Sequence, residues 1–129
     1  MNDERSEHEL WIERAEGDRL NIRNNLQASA VPWETVCFNA QQAAEKYLKA
    51  FLVFHRRRPS RTHDLGEILN ECLLFDQSLG PLRGDCNKLT DYGVSARYPV
   101  SHLQADEHMA REAVAASERV CEAIRAILP

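Results

Sequence analysis

Nothing in this 129-residue chain approaches the run of about 18 apolar residues that a membrane-spanning helix needs. The first ten residues, MNDERSEHEL, hold no apolar stretch, which argues against a secretory signal peptide. The expected compartment is therefore the cytoplasm, with no membrane partner. None of the cysteines (Cys37, Cys72, Cys86, Cys121) forms a C-x-x-C pair, so the zinc-ribbon and thioredoxin patterns are absent, and no metal or cofactor is expected. In a reducing compartment the four thiols read as small core hydrophobes. No segment alternates at period two with β-branched residues, which argues against a sheet. Internal repeats, linkers and low-complexity stretches are also missing.

Positive charge is scarce overall. The formal net charge is -4, and an acidic chain is a poor generic nucleic-acid binder because phosphate contacts need a surplus of Lys and Arg. One local exception stands out, HRRRPSR at residues 55–61. It reads either as a solvated loop between helices or as an anion contact, and Arg58 is its candidate phosphate ligand. With 43% hydrophobic and 28% charged residues, the composition is that of a globular chain rather than a disordered one. Its length suits one domain over 1–129, with enough core to fold without disulfides.

What is present is helical periodicity. A first helix is expected from about Glu7 to Ala28, with a sparse stripe of Leu10, Trp11, Ala15, Ile22 and Leu26. Pro32 then closes the helical region for Val31. A second runs from about Trp33 to Phe54 and carries a wide apolar face of Val36, Ala40, Ala43, Ala44, Tyr47, Leu48, Phe51 and Leu52. A third starts at Asp64, where Asp64 and Glu67 match a capping box. A fourth is weakly marked between about Pro81 and Tyr92, interrupted by Gly84 and followed by Gly93. A fifth is expected from near Ser101, with Ser101 and Gln104 as its capping box, to the chain end. Short connections favour antiparallel neighbours, so the expected fold is all-α, an up-and-down bundle of four to five helices.

Helix two also carries polar residues three and four apart. Gln42, Glu45 and Lys49 share one face, while Ala43, Tyr47 and Phe51 share another. Such a stripe lies either in water, with a weak Glu45–Lys49 pair, or in a polar groove that meets His63 and Arg97.

The string CFNAQQAAEKYLKAFLV, residues 37–53, resembles the signature of HEPN domains, with Phe38, Ala40, Gln41, Gln42, Ala43, Glu45, Lys46, Lys49 and Ala50 in matching places. THDL at residues 62–65 and ARYP at 96–99 follow in the family's order, and Trp11 with Ala15 fits its opening. The resemblance implies a helical bundle that binds nucleotide or RNA, forms a homodimer, and partners a small nucleotidyltransferase in a toxin–antitoxin-like pair. Gln42, Glu45, Lys49, His63, Tyr98 and Arg58 are then the nucleotide-binding candidates.

It also implies a second function. Many HEPN domains are ribonucleases that need no metal, marked by Arg, four to six residues, then His. A guanidinium holds the scissile phosphate in a two-pronged contact, and an imidazole moves the proton of the 2′-hydroxyl or the leaving oxygen. The spacing occurs twice, Arg58–His63 and Arg97–His102, in a chain with thirteen Arg and five His, so spacing alone selects little. Position late in the chain selects Arg97 and His102 as the catalytic candidates. Pro99 falls between them and disfavours continuous helix there. Where toxin-like members carry a Tyr two residues after the His, this chain has Gln104. A binding module and a metal-independent endoribonuclease are thus the two readings.

Overall fold

The computed structural model describes residues 6–97 and 105–129, with the side chains of 93–97 outside the description. Among the described residues there are five α-helices and no strand: α1 Glu7–Leu26, α2 Trp33–Phe54, α3 Leu65–Leu73, α4 Arg83–Arg97 and α5 Glu107–Ile127. A 3₁₀ turn, Gln77–Leu82, links α3 to α4.

Pairwise contacts fix the directions. Along α1, His8 meets Phe54, Trp11 meets Lys49 and Glu16 meets Tyr47, so α1 and α2 run antiparallel. Tyr92 bonds Glu112 and Asp85 bonds Arg119, which sets α4 against α5 in the opposite sense. Arg111 lies over the Trp33 ring and Ser117 Oγ donates to the Ala40 carbonyl, so α5 runs parallel to α2. The result is an up-and-down bundle of α1, α2, α4 and α5, with α3 inserted in the crossover. Helix α2 is central, packed against all four others.

Its composition explains that position. Ala40, Ala43, Ala44 and Ala50 are fully buried, and such small residues let neighbouring backbones come close. Tyr47, Leu48, Phe51 and Leu52 fill the remaining space and join Leu65, Ile68, Leu69, Leu89, Val120 and Ile124 in one buried cluster. Helix α1 buries little beyond Ala15 and Ile22. Its hold on α2 is largely polar: Lys46 Nζ reaches Asp18 at 2.6 Å, and the Tyr47 hydroxyl donates to Glu16 at 2.5 Å.

Three boundaries differ from the sequence expectation. The third helix is capped by Asp64, whose carboxylate accepts from the Gly66 and Glu67 amides, but its own N–H donates to Thr62 Oγ1 at 3.1 Å, so only half of the expected box forms. The fourth helix begins at Arg83, two residues later than expected, because Pro81 is taken up in the 3₁₀ turn. It then continues past Gly93 to Arg97, two residues before Pro99. The fifth helix begins at Glu107 rather than Ser101. Asp106 is its cap and accepts from the Met109 amide at 2.8 Å; Ser101 and Gln104 lie outside the described residues.

Two expected outcomes follow. All four cysteines are buried, and burial pushes the thiol of Cys37 up to about 11 and those of Cys72, Cys86 and Cys121 up to about 12. At pH 8 the folded protein therefore leaves Ellman's reagent uncoloured, and all four thiols react once denaturant is added. Glu16 is pushed upward by burial, but hydrogen bonds from Tyr47 and Arg19 outweigh this and hold it below 4.5. A carboxylate lowered in the folded state stabilises above its unfolded value and loses that contribution as pH falls through the folded one. Urea midpoints should thus drop below pH 4.5, and Tyr47→Phe should flatten that drop.

Candidate functional site

The site grows from an i, i+4, i+8 series on α2: Gln41, Glu45 and Lys49. These three stand on one helix face. They are also buried, with exposures of 2%, 4% and 6%. The stripe is therefore not a solvated helix face, and a charge at such depth must be paired. Glu45 achieves this. Its Oε1 accepts from Gln41 Nε2 at 2.8 Å, and its Oε2 accepts from Lys49 Nζ at 3.0 Å. His63 Nδ1 sits 3.1 Å from both oxygens. A carboxylate only accepts, so Nδ1 carries the hydrogen and the imidazole presents Nε2 outward.

His63 is delivered there by the turn before α3. Thr62 Oγ1 accepts from the Asp64 amide, Asp64 caps α3, and the Leu65 amide donates to Thr90 Oγ1 of α4 at 2.9 Å. Gly66 belongs to the same lock. A Cβ there would stand 2.7 Å from Asn87 Oδ1 and 3.2 Å from the capping Asp64 Oδ1, so a side chain would have to displace the Asn87 side chain, and the Gly66 carbonyl accepts from Arg83 at 3.0 Å. With the residues on both sides tied down, the His63 side chain remains 56% exposed while its inner nitrogen is held. It combines a fixed orientation with access to solvent.

The opposite wall is α1. Lys49 Nζ stands 5.9 Å from the centre of the Trp11 ring, within reach of a cation–π contact. Trp11 also lines a cavity of about 220 Å³ with Glu7, Leu10 and Arg14 among the described residues. The sequence of contacts Trp11–Lys49–Glu45–His63 thus spans α1, α2 and the turn before α3. It offers a half-buried indole, an exposed imidazole and a nearby guanidinium.

Of the residues singled out from sequence, Glu45, Lys49 and His63 come together. Gln42 stands one step removed, donating to Gln41 Oε1 at 2.8 Å. Gln41 takes the inner place instead; its i, i+4 relation to Glu45 was visible in sequence, as was that of Lys49. Trp11 and Arg14 were the other omissions, and only the antiparallel register of α1 on α2 reveals them. Arg58 is exposed in the loop after α2 and has no bond to this network. Arg97 is the last residue of α4, and Tyr98 and His102 lie outside the described residues. Among the described residues Glu45 is met by Gln41, Lys49 and His63. No group of three or more His, Cys, Asp or Glu suited to a metal occurs among the described residues, and no described helix is long and apolar enough to cross a membrane.

Removing Glu45 alone strands Lys49 and Gln41. Glu45→Ala should cost about 3–5 kcal/mol in urea unfolding. Adding Lys49→Met, which keeps the stem and deletes the charge, should recover most of that loss. If the double variant is no more stable than Glu45→Ala, the cost lies in lost packing and not in an unpaired ammonium.

Comparison with known proteins places the arrangement. A search of curated proteins finds no significant match. Two solved structures share the fold. TT1696 from Thermus thermophilus superposes with a TM-score of 0.79 at 22% identity, over 94% of this chain and 98% of that one. ST0689, described as an archaeal HEPN homologue, superposes with a TM-score of 0.73 at 23% identity, over 95% of this chain and 98% of that one. The HEPN domain family model matches residues 8–127. The chain belongs to the HEPN domain family.

Proposed function

We propose that this chain is a nucleotide- or RNA-binding HEPN module whose ligand docks at the Trp11–Lys49–Glu45–His63 site. The carrying observation is His63: exposed at its tip and held at Nδ1 by a carboxylate that is itself buried. A side chain anchored in this way loses little further freedom when it meets a ligand, so its hydrogen bond is preorganised. Nε2 then accepts a hydrogen bond from a ribose hydroxyl, Arg14 supplies a guanidinium for phosphate, and the Trp11 ring supplies a stacking face. Gln42 and Tyr98 complete the candidate contacts of this reading. In assembly, the module pairs with itself and with a small nucleotidyltransferase in a toxin–antitoxin-like system, as the resemblance implies. The compartment is the cytoplasm.

A second reading, metal-independent endoribonuclease, has one observation in its favour. An imidazole oriented by a buried carboxylate is the arrangement that general acid–base work requires. Arg97 and His102 are the residues that the Arg-x4-His spacing nominates for that reaction, and α4 is helical as far as Arg97.

The test separates structure from function. His63 is half in water but its Nδ1 serves the buried Glu45 carboxylate, so His63→Ala should cost about 1–3 kcal/mol in unfolding and leave the fold intact. The same variant should weaken binding of uridine monophosphate by about two- to ten-fold in calorimetry, the worth of one neutral hydrogen bond. Unchanged affinity in His63→Ala would remove the site. Cleavage of RNA in EDTA, lost in Arg97→Ala and His102→Ala, would move the protein to the second reading. Light scattering should report a dimer, and co-expression with the adjacent reading frame should recover a complex; a monomer at tens of micromolar with no such complex would end the assembly proposal.

A further inference from the structure

The end of α2 carries a feature that the His63 site does not use. The helix closes with His55 as its last half-turn residue, the Arg56 amide donating to the Val53 carbonyl and the Arg57 amide to the Leu52 carbonyl, both at 2.9 Å. This crossed pair is the usual termination by a left-handed residue, a place normally held by glycine. Here it is held by Arg56, at φ 61°. An arginine in that conformation is less favourable than glycine, so the side chain is kept at the expense of stability.

The three neighbouring guanidiniums are not equivalent. Arg57 is spent internally, with Nε and Nη2 on Glu71 at 3.2 and 3.0 Å. No described carboxylate pairs with Arg56 or Arg58. Both line an open groove of about 470 Å³ together with Val53, Arg57, Pro59 and Glu7. A run of rings lies at the same helix end: Phe54, the neighbour of the groove residue Val53, meets His8 and His55, each with ring centres 5.2 Å away. His55 stacks on Phe75 at 4.6 Å and 14°, and Phe75 stays 41% exposed. Unpaired guanidiniums beside exposed ring faces are the combination that holds a single strand, where the cations follow the phosphates and the rings accept bases of any sequence.

We infer that the Arg56–Arg58 groove with the Phe54–Phe75 ledge is a second binding surface for single-stranded RNA, which extends the ligand beyond a mononucleotide. This rests on the reading that the His63 site takes a nucleotide. It also accounts for arginine at a glycine position, and for two arginines of the one strongly basic stretch having no carboxylate partner among the described residues. Glu7 is the opposing charge in the groove. It sits in the first turn of α1, where a helix start favours it.

The probe is a 2′-O-methylated oligouridine of about eight nucleotides, which cannot be cut through its 2′-hydroxyl, set against uridine monophosphate. The wild-type chain should bind the oligomer about ten-fold or more tightly than the monomer. Arg56→Gly should raise the melting temperature and yet weaken the oligomer. Arg58→Ala should weaken it too, and each change should shallow the salt dependence of log affinity by about 0.7, one single-strand phosphate. Phe75→Leu should weaken the oligomer at an unchanged salt slope, and Glu7→Gln should strengthen it. Arg56→Gly, Arg58→Ala and Phe75→Leu should leave the monophosphate alone. Equal affinity for oligomer and monomer, or an oligomer affinity indifferent to Arg56→Gly in a protein that still binds the monophosphate, overturns this inference only. Failure to bind either probe overturns the His63 reading with it. Loss of self-association in Phe75→Leu with RNA affinity intact would assign the ledge to a protein partner and overturn the inference.

Discussion

The carboxylate of Glu45 is the constraint around which this bundle is arranged. It is buried on the helix that packs against every other helix, and a charge at that depth destabilises unless its lone pairs are met. Gln41 and Lys49 come from the same helix and need only regular α-geometry. The remaining partner, His63, requires the chain to leave α2, turn, and return to the level of Glu45 before α3 begins. The loop, the Asp64 cap and the Thr62 and Thr90 bonds hold that return in place. Lys49 then has its charge satisfied on one side and an indole face on the other, which places α1 over the site. Local folding and site geometry are thus one requirement.

Much of this is legible in the sequence, and the reasons differ by element. Helix α2 has the bounds expected from its periodicity because its wide apolar face leaves no other register in which so many Ala, Leu and Phe side chains are covered. The weaker elements were misjudged where two signals compete. Pro81 reads as a helix start, since proline suits a first turn, but the same residue is equally at home inside a 3₁₀ turn, and the Asp76 cap four residues upstream of Gly80 decides for the latter. Ser101 and Asp106 are both competent caps by residue type. Asp106 holds the cap, and Ala110, Ala113, Ser117 and Cys121 then face the core in step from Glu107 onward. Nothing in the spacing of one sequence reveals that α5 must be in register with α2.

The site was half legible for a related reason. Three- and four-residue spacing identified a polar face on α2, and it could not tell Gln41 from Gln42 because both lie within one turn of Glu45. The choice is made by burial, with Gln41 inside and Gln42 behind it. Trp11 and Arg14 were out of reach for a deeper reason. Their place in the site depends on the antiparallel register of α1 against α2, which polar pairs such as Glu16–Tyr47 and Asp18–Lys46 determine rather than an apolar stripe. A helix with so sparse a buried face carries a weak register signal in its own sequence.

The fold explains what the solved relatives share and leaves the site to be argued from its own chemistry. At 22% and 23% identity, superposition over nearly the whole chain is evidence about packing directions. A bundle of this kind is satisfied by apolar residues alone, and replacing a buried ion pair by well-packed hydrophobes is often neutral or stabilising. The core therefore has no need of Glu45 and Lys49, nor does the α2 terminus need an arginine in a left-handed conformation. Packing alone therefore requires neither the Glu45–Lys49 pair nor Arg56. They occur where the chain also presents accessible groups: the His63 ring on one, the Arg56 and Arg58 guanidiniums on the other. The proposed binding readings rest on that coincidence of a residue packing does not require with an exposed, oriented polar group, because a ligand would supply the interaction that the chain itself does not.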